Sequence, residues 1–267
     1  RGTTGEGYGV GDKSSGPFLI ILLEEVVSKL KILSDPDALA RAAADRFAKA
    51  ASPAIARRGK FSVALAGGSA PRGAYKQQAP PDLAGRMNWE KVHLFWGDER
   101  CVRPEHPESN YRMARETFLE DVPVPQANIH RMQGELDPLQ AAAAYETALR
   151  AHFGAVEWPP FDLILLGMGE DGHIASLFPE SPATHEAERW VVAHFVARLQ
   201  SWRITLTLPA INAARQVVFL VAGLSKASRL REVLRGDPGA TSLPAGQVRP
   251  TNGELVWMVD QAAASQL

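Results

Sequence analysis

Asp171 and His173 are the residues of this chain best suited to chemistry. They sit in Asp162-Leu-Ile-Leu-Leu-Gly-Met-Gly-Glu-Asp-Gly-His-Ile-Ala-Ser-Leu-Phe-Pro179. An imidazole can take and return a proton near neutral pH, and a carboxylate two residues away can orient its ring. The apolar run at 162–166 reads as a buried strand and breaks at Gly167, Gly169 and Gly172. An acid and an imidazole on a glycine-rich turn at the carboxyl end of a strand stand where open α/β sheets bind ligands. The turn is expected to enter a short helix that Pro179 ends.

Two more polar clusters directly follow expected strands. The strand at 61–66 ends in Gly67-Gly68-Ser69, ahead of a helix expected to begin near Pro71. Backbone N–H groups at a helix start, with the Ser69 hydroxyl, suit a phosphate, although the same residues also make a tight turn. The strand at 92–96 ends in Gly97-Asp98-Glu99-Arg100. Farther on, Arg203, Thr205 and Thr207 share one face of an alternating strand, and Lys226 lies near the start of a helix opened by Gly223. For either cation alone, solvation is the better explanation. Together with Arg100 they could supply the positive field that a phosphorylated substrate needs.

The elements that must position these residues alternate. Residues 34–37, Ser-Asp-Pro-Asp, open a helix with a capping side chain, a first-turn proline and an acid near the positive dipole end. Leu39, Ala43, Phe47 and Ala50 then fall on one helix face. Further helices are expected at 109–119, 138–152 and 225–234, and further strands at 190–196, 203–208, 217–221 and 255–259. Strands alternating with helices imply an α/β fold around a mostly parallel sheet flanked by helices. Residues 30–267 contain no linker-like stretch, no internal repeat is present, and residues 18–267 are expected to form one domain. Residues 1–17, rich in Gly and Ser, read as a flexible leader or an artificial extension.

Composition narrows the function. The 267 residues are 45% hydrophobic and 22% charged, and 29 basic against 30 acidic residues give a net charge of −1. That balance argues against a nucleic-acid or anionic-membrane partner. The apolar run at 18–23 is too short to span a bilayer. Cys101 is the single cysteine, which excludes an intrachain disulfide and fits a reducing, cytoplasmic setting. The string Gly167 to Gly172 matches G-x-G-x-x-G, but Pro179 cuts off the crossover helix a dinucleotide site requires, and no strand-ending acid follows about twenty residues on. No G-x-S-x-G elbow offers a serine nucleophile. No H-x-x-x-H or C-x-x-C spacing exists, so no metal is expected.

Five segments together carry a resemblance: Ala66-Gly-Gly-Ser-Ala-Pro71, Trp96-Gly-Asp-Glu-Arg100, Asn110-Tyr-Arg-Met113, Gly167 to Pro179, and Arg203-Ile-Thr-Leu-Thr-Leu-Pro209. In order and spacing, from residue 34 to 259, the chain resembles the 6-phosphogluconolactonase family. Ala70 stands where the family usually carries Thr, which removes one hydroxyl from the phosphate loop, and Glu170 stands where Pro or another residue is common. The resemblance implies hydrolysis of 6-phosphogluconolactone to 6-phosphogluconate, the second step of the oxidative pentose phosphate pathway. It implies no cofactor or metal, and a modified Rossmann-like sheet shared with glucosamine-6-phosphate deaminase and ribose-5-phosphate isomerase. His173 would be the general base, supported by Asp171. Ser69, Arg100, Arg203 and Lys226 would hold the phosphate, Asp98 would lie near the sugar ring, and Gly67, Gly68 and Gly169 would bring backbone to the substrate. The partner would be a small phosphorylated sugar lactone, and the protein a monomer or small homo-oligomer.

Two alternatives differ in sequence. A glucosamine-6-phosphate deaminase resembles this pattern but carries a ring-opening glutamate where this chain has Phe178, and favours Asp-Glu-Tyr over Asp98-Glu99-Arg100. A non-catalytic sugar-phosphate sensor would be expected to carry a DNA-binding helix-turn-helix, and residues 1–30 are too few and too Gly-rich for one.

Overall fold

The computed structural model describes residues 19–23, 26–78, 87–237 and 239–267. The expected leader at 1–17 lies outside the described residues. Ten strands and six α-helices are described: β1 (Leu19–Leu23), β2 (Val26–Leu33), α1 (Pro36–Arg58), β3 (Phe61–Leu65), α2 (Ser69–Lys76), β4 (Val92–Trp96), β5 (Asp98–Arg100), α3 (Asn110–Ala114), α4 (Pro138–Phe153), β6 (Leu163–Leu166), β7 (Val191–Val196), β8 (Ser201–Leu206), α5 (Leu208–Asn212), β9 (Gln216–Val221), α6 (Ala227–Arg235) and β10 (Glu254–Asp260).

Helix starts obey their capping chemistry. The Asp35 carboxylate accepts the Ala38 N–H at 2.7 Å ahead of Pro36, and Asp137 caps α4 ahead of Pro138 in the same way. The expected face of α1 is buried at Leu39, Ala43, Phe47 and Ala50. The helix expected at 109–119 forms as α3, capped by Ser109, and continues as a π-helical turn over Arg115–Leu119.

The main sheet has the order β1-β2-β10-β9-β6-β3-β4, and only the edge strand β1 runs antiparallel to its neighbour. Alternate strand residues feed two cores, as a sheet covered on both faces requires. Val63, Leu65, Leu163, Leu165, Val218 and Leu220 pack with Leu39 and Phe47 of α1. Ala64, Ile164, Leu166, Val217 and Phe219 pack with Tyr145 and Leu149 of α4, Ile211 of α5 and Leu230 of α6. The strands expected at 190–196 and 203–208 form as β7 and β8, which pair antiparallel with each other, and β8 also with β5, in a separate sheet of order β5-β8-β7. Two buried tyrosines pin the strand ends from which site loops leave. The Tyr75 hydroxyl bonds both backbone groups of Ala66 at 2.8 and 2.9 Å, and that of Tyr145 bonds those of Trp96 at 2.8 and 3.1 Å. No helix among the described residues is long and apolar enough to cross a membrane.

At the amino-terminal end of β3 and β4, His93, His130 and His152 pack against Phe95, whose ring stacks 4.4 Å from that of His130. Burial, and next the charges of neighbouring histidines and Lys60, hold His93 down to about 4 and His152 down to about 3, from an ordinary value of 6.5. The unfolded chain therefore binds more protons below pH 6.5, so this contribution to stability is complete above 6.5 and lost as pH falls toward 3. The melting temperature in EDTA-containing buffer is expected to drop between pH 7 and 4.5, less steeply in a His93→Gln/His152→Gln variant. Parallel pH profiles for the two proteins would contradict this.

Candidate active site

The loop after β6 does not enter the helix expected there. Gly172, at φ 82, and Ala175, at φ 45, interrupt the right-handed run a helix needs. The chain instead folds back: Gly169 N–H donates to the His173 carbonyl at 2.9 Å, and Ile174 and Leu177 exchange backbone hydrogen bonds. Both of those side chains are fully buried, which anchors the hairpin in the core. His173 is left at its rim, partly exposed, with Nδ1 2.6 Å from Asp171 Oδ1. Arg198, from the turn after β7, pairs with the other oxygen of Asp171 and lays its guanidinium 4.6 Å over the Phe178 ring. Burial alone would raise the Asp171 carboxyl, but the hydrogen bonds and charge of His173, then Arg198, hold it far below the usual carboxylate range. The carboxylate thus stays ionised and fixes the imidazole, leaving the other ring nitrogen for chemistry.

Gly169 has no alternative at its position. A Cβ there would lie 2.0 Å from His173 Nδ1 and 2.5 Å from Asp171 Oδ1. A Cβ on Gly67 would lie 2.1 Å from Asn110 Oδ1. Asn110 in turn donates to Asp98 Oδ1 at 3.1 Å, and the Ser176 hydroxyl donates to Asp98 Oδ2 at 2.7 Å. Asp98 is therefore a buried, doubly held acceptor linking the β4 loop to the His173 loop. Glu99 points the other way. It is buried and receives the N–H groups of Arg100, Asn110 and Tyr111 at 2.7–2.8 Å and the Ser109 hydroxyl at 3.0 Å. It thereby ties the start of α3 to β5 and sets the course of the segment that carries Asp98 and Arg100.

The cations converge from three elements. Arg100 and Arg203 are directly opposite in the β5–β8 ladder. Arg203 is buried, and its Nε and Nη1 have no hydrogen-bond partner. Burial, and next the Arg100 charge, lower its pKa from the ordinary arginine value. Two guanidinium groups so placed repel each other unless an anion joins them. Lys226 ends the 3-10 turn Leu224–Lys226 ahead of α6, one residue beyond the expected helix start, and sits 3.7 Å from Glu170. Helix α2 starts at Ser69, two residues before expectation. Gly68, at φ 97, is its N-cap and no side chain caps it, so its first N–H groups are free of an internal acceptor. Arg203 and Thr205 alternate along β8 as expected, but Thr207 lies beyond the strand. Strand β8 ends at Leu206, and both hydroxyls donate to backbone carbonyls.

These residues surround one cleft with two contiguous lobes. Gly67, Gly68, Ser69, Asp98, Arg100, Gly169, His173 and Lys226 line the inner lobe of about 220 Å³. Asp171 and Arg203 line the outer lobe of about 490 Å³, which shares Asp98, Arg100, His173 and Lys226 with the first. All ten residues singled out in the sequence are thus brought together. Four were not: Glu99, Asn110, Ser176 and Arg198. Asn110 and Ser176 lie inside the quoted motifs, beside residues of obvious chemistry. Arg198 carries no local signal, because only the pairing of β7 with β8 turns it toward Asp171.

A sheet with site loops at its carboxyl edge, an aspartate–imidazole pair and a cluster of cations together suit an α/β enzyme that acts on an anionic substrate. The family model for glucosamine-6-phosphate isomerases/6-phosphogluconolactonase matches residues 34–257. A 6-phosphogluconolactonase of Synechocystis sp. is 46% identical over 217 residues, covering 80% of this chain and 88% of that one. The solved structure of 6-phosphogluconolactonase from Trypanosoma cruzi superposes with a TM-score of 0.80 at 28% identity, over 89% of this chain and 96% of that one. A monomeric glucosamine-6-phosphate deaminase shares the fold, with a TM-score of 0.73 at 20% identity over 89% and 99% of the two chains. The chain belongs to the glucosamine-6-phosphate isomerase/6-phosphogluconolactonase family.

Gly169→Ala tests the closest approach in the site. The methyl group cannot coexist with the observed His173–Asp171 geometry, so kcat is expected to fall at least 100-fold while the circular dichroism spectrum stays unchanged. Full activity in this variant would contradict the geometry.

Proposed function

We propose that the protein hydrolyses 6-phospho-D-glucono-1,5-lactone to 6-phospho-D-gluconate, with His173 as general base. The observation that carries this reading is the presence, in one cleft, of an oriented imidazole and a set of cations with buried, unpaired donors. An ester needs an activated water at one end, and a phosphate needs cations at the other.

His173 takes a proton from a water as that water attacks C1 of the lactone. The carbonyl oxygen becomes an oxyanion, which N–H groups of the glycine turns can stabilise. Collapse breaks the bond from C1 to the ring oxygen, and the imidazolium returns its proton to that oxygen, which leaves as the C5 hydroxyl. The new carboxylic acid ionises in water. Asp171, held ionised by Arg198, supports the imidazolium between the two proton transfers. The phosphate binds to Ser69 and the start of α2 with Arg100, Arg203 and Lys226, and its binding energy fixes C1 against the base. Asp98 accepts from a sugar hydroxyl, since Asn110 and Ser176 already hold both of its oxygens as acceptors.

The deaminase reading fails on Phe178. Its ring packs 4.5 Å from that of His173, beneath Arg198, and a phenyl group cannot relay the proton that opens an aminosugar ring.

Purified protein is expected to accelerate loss of freshly generated 6-phosphoglucono-δ-lactone above its spontaneous rate and to leave glucosamine 6-phosphate unchanged. The reverse preference would overturn the reading. His173→Ala is expected to lower kcat by roughly 10²–10⁴-fold, equivalent to about 3–5 kcal/mol of barrier. Arg203→Ala and Lys226→Ala are expected to raise KM for the phosphorylated lactone more than for unphosphorylated gluconolactone. Equal effects on both substrates would remove these residues from phosphate recognition.

A further inference from the structure

A second group of chemistry-bearing side chains lies at the amino-terminal end of the sheet, away from the carboxyl-edge cleft. His93 is the second residue of β4, His130 follows a bridge from Ile129 to Leu94 of that strand, and His152 sits in the last turn of α4. One nitrogen from each ring lies within 4.8 Å of the other two, and no other such group of three His, Cys, Asp or Glu side chains occurs among the described residues. Nothing in lactone hydrolysis uses them.

We propose that His93, His130 and His152 bind one divalent transition-metal ion of the zinc class, with a fourth position open to water. His93 Nδ1 and His130 Nε2 are 3.2 Å apart. Two imidazole nitrogens on one tetrahedral zinc, each about 2.0–2.1 Å from it, stand ~3.3 Å apart. The third ring is held in place by a 2.7 Å contact between His152 Nε2 and the Ser62 hydroxyl, the kind of outer bond that orients a ligand imidazole. Phe95 closes one side of the group, with ring centroids 4.4 Å from His130 and 5.0 Å from His152. Three imidazoles without a carboxylate favour zinc, copper or nickel over magnesium or calcium, which need oxygen ligands.

The surroundings keep the ligands ready. Neutral imidazole is the form that binds a metal, and it is the ordinary form of histidine at pH 7. The nearby opposing charge is Lys60, whose ammonium is occupied by the His152 carbonyl at 3.0 Å. It weakens the site without blocking it. A bound ion would tie β4, the segment after it and the end of α4 together, a role in stability rather than in turnover.

The test uses the full chain stripped with chelator and titrated with zinc sulfate by calorimetry and thermal melting, and with cobalt(II) by visible absorbance. One equivalent of zinc, a raised melting temperature and the d–d bands of tetrahedral cobalt are expected. His93→Gln and His152→Gln are each expected to weaken zinc binding at least tenfold while retaining lactone turnover. His173→Ala is expected to bind zinc like the parent protein, which separates this site from the Asp171–His173 pair. Should either glutamine variant fold poorly, Lys60→Ala leaves all three ligands in place and is expected to tighten zinc binding several-fold. No stoichiometric uptake, uptake lost only in His173→Ala, or unchanged affinity in the His93, His152 and Lys60 variants would overturn the proposal.

Discussion

The structure depends on one constraint: β4, β3, β6 and β9 lie side by side and parallel, so their carboxyl ends open on the same edge of the sheet. A parallel sheet delivers its loops together in this way, and a ligand crevice forms where the connections diverge to opposite sides. Here the chain passes from β3 to β4 on one side and later places β6 on the other. The Gly67 loop and the Gly167 loop flank that divergence, and the Lys226 turn follows the next strand. No single loop holds the whole site. Each supplies one function, and the sheet supplies their relative position.

Electrostatic asymmetry follows from that placement. The cleft holds an aspartate–imidazole pair whose carboxylate is neutralised by Arg198. It also brings Arg100 and Arg203 across a strand pair and leaves buried donors of Arg203 without acceptors. An unfilled buried donor and a like-charge pair both cost stability. On the proposed reading, a bound phosphate would remove both costs at once. Trading such local strain for ligand binding energy is how an active site departs from what folding alone would select.

Much of this was legible in the sequence because the signals were local. Asp35 and Pro36 open α1, Asp137 and Pro138 open α4, and the apolar runs before Gly67, Gly97 and Gly167 become β3, β4 and β6. Most of the ten candidate residues stood out for the same reason, since they follow or open an element, and Arg203 stood out by alternation along its strand. What escaped detection depends on distant pairing. Alternation in Arg203 to Leu208 marks a strand but cannot say that β7 and β8 leave the main sheet to pair with β5. The turn at Gly172 and Ala175 follows from burial of Ile174 and Leu177 in the core, whereas its composition also suits a short helix. Arg198 and the three clustered histidines, at 93, 130 and 152, come from segments far apart in the chain, so no spacing rule could gather them.

The most direct measurement is a crystal structure of the protein with the product, 6-phosphogluconate. The expected result places the C1 carboxylate within hydrogen-bond reach of His173 and the phosphate among Ser69, Arg100, Arg203 and Lys226. A phosphate bound beside His173, or a product molecule that leaves the buried Arg203 donors unpaired, would contradict the shared-cleft mechanism.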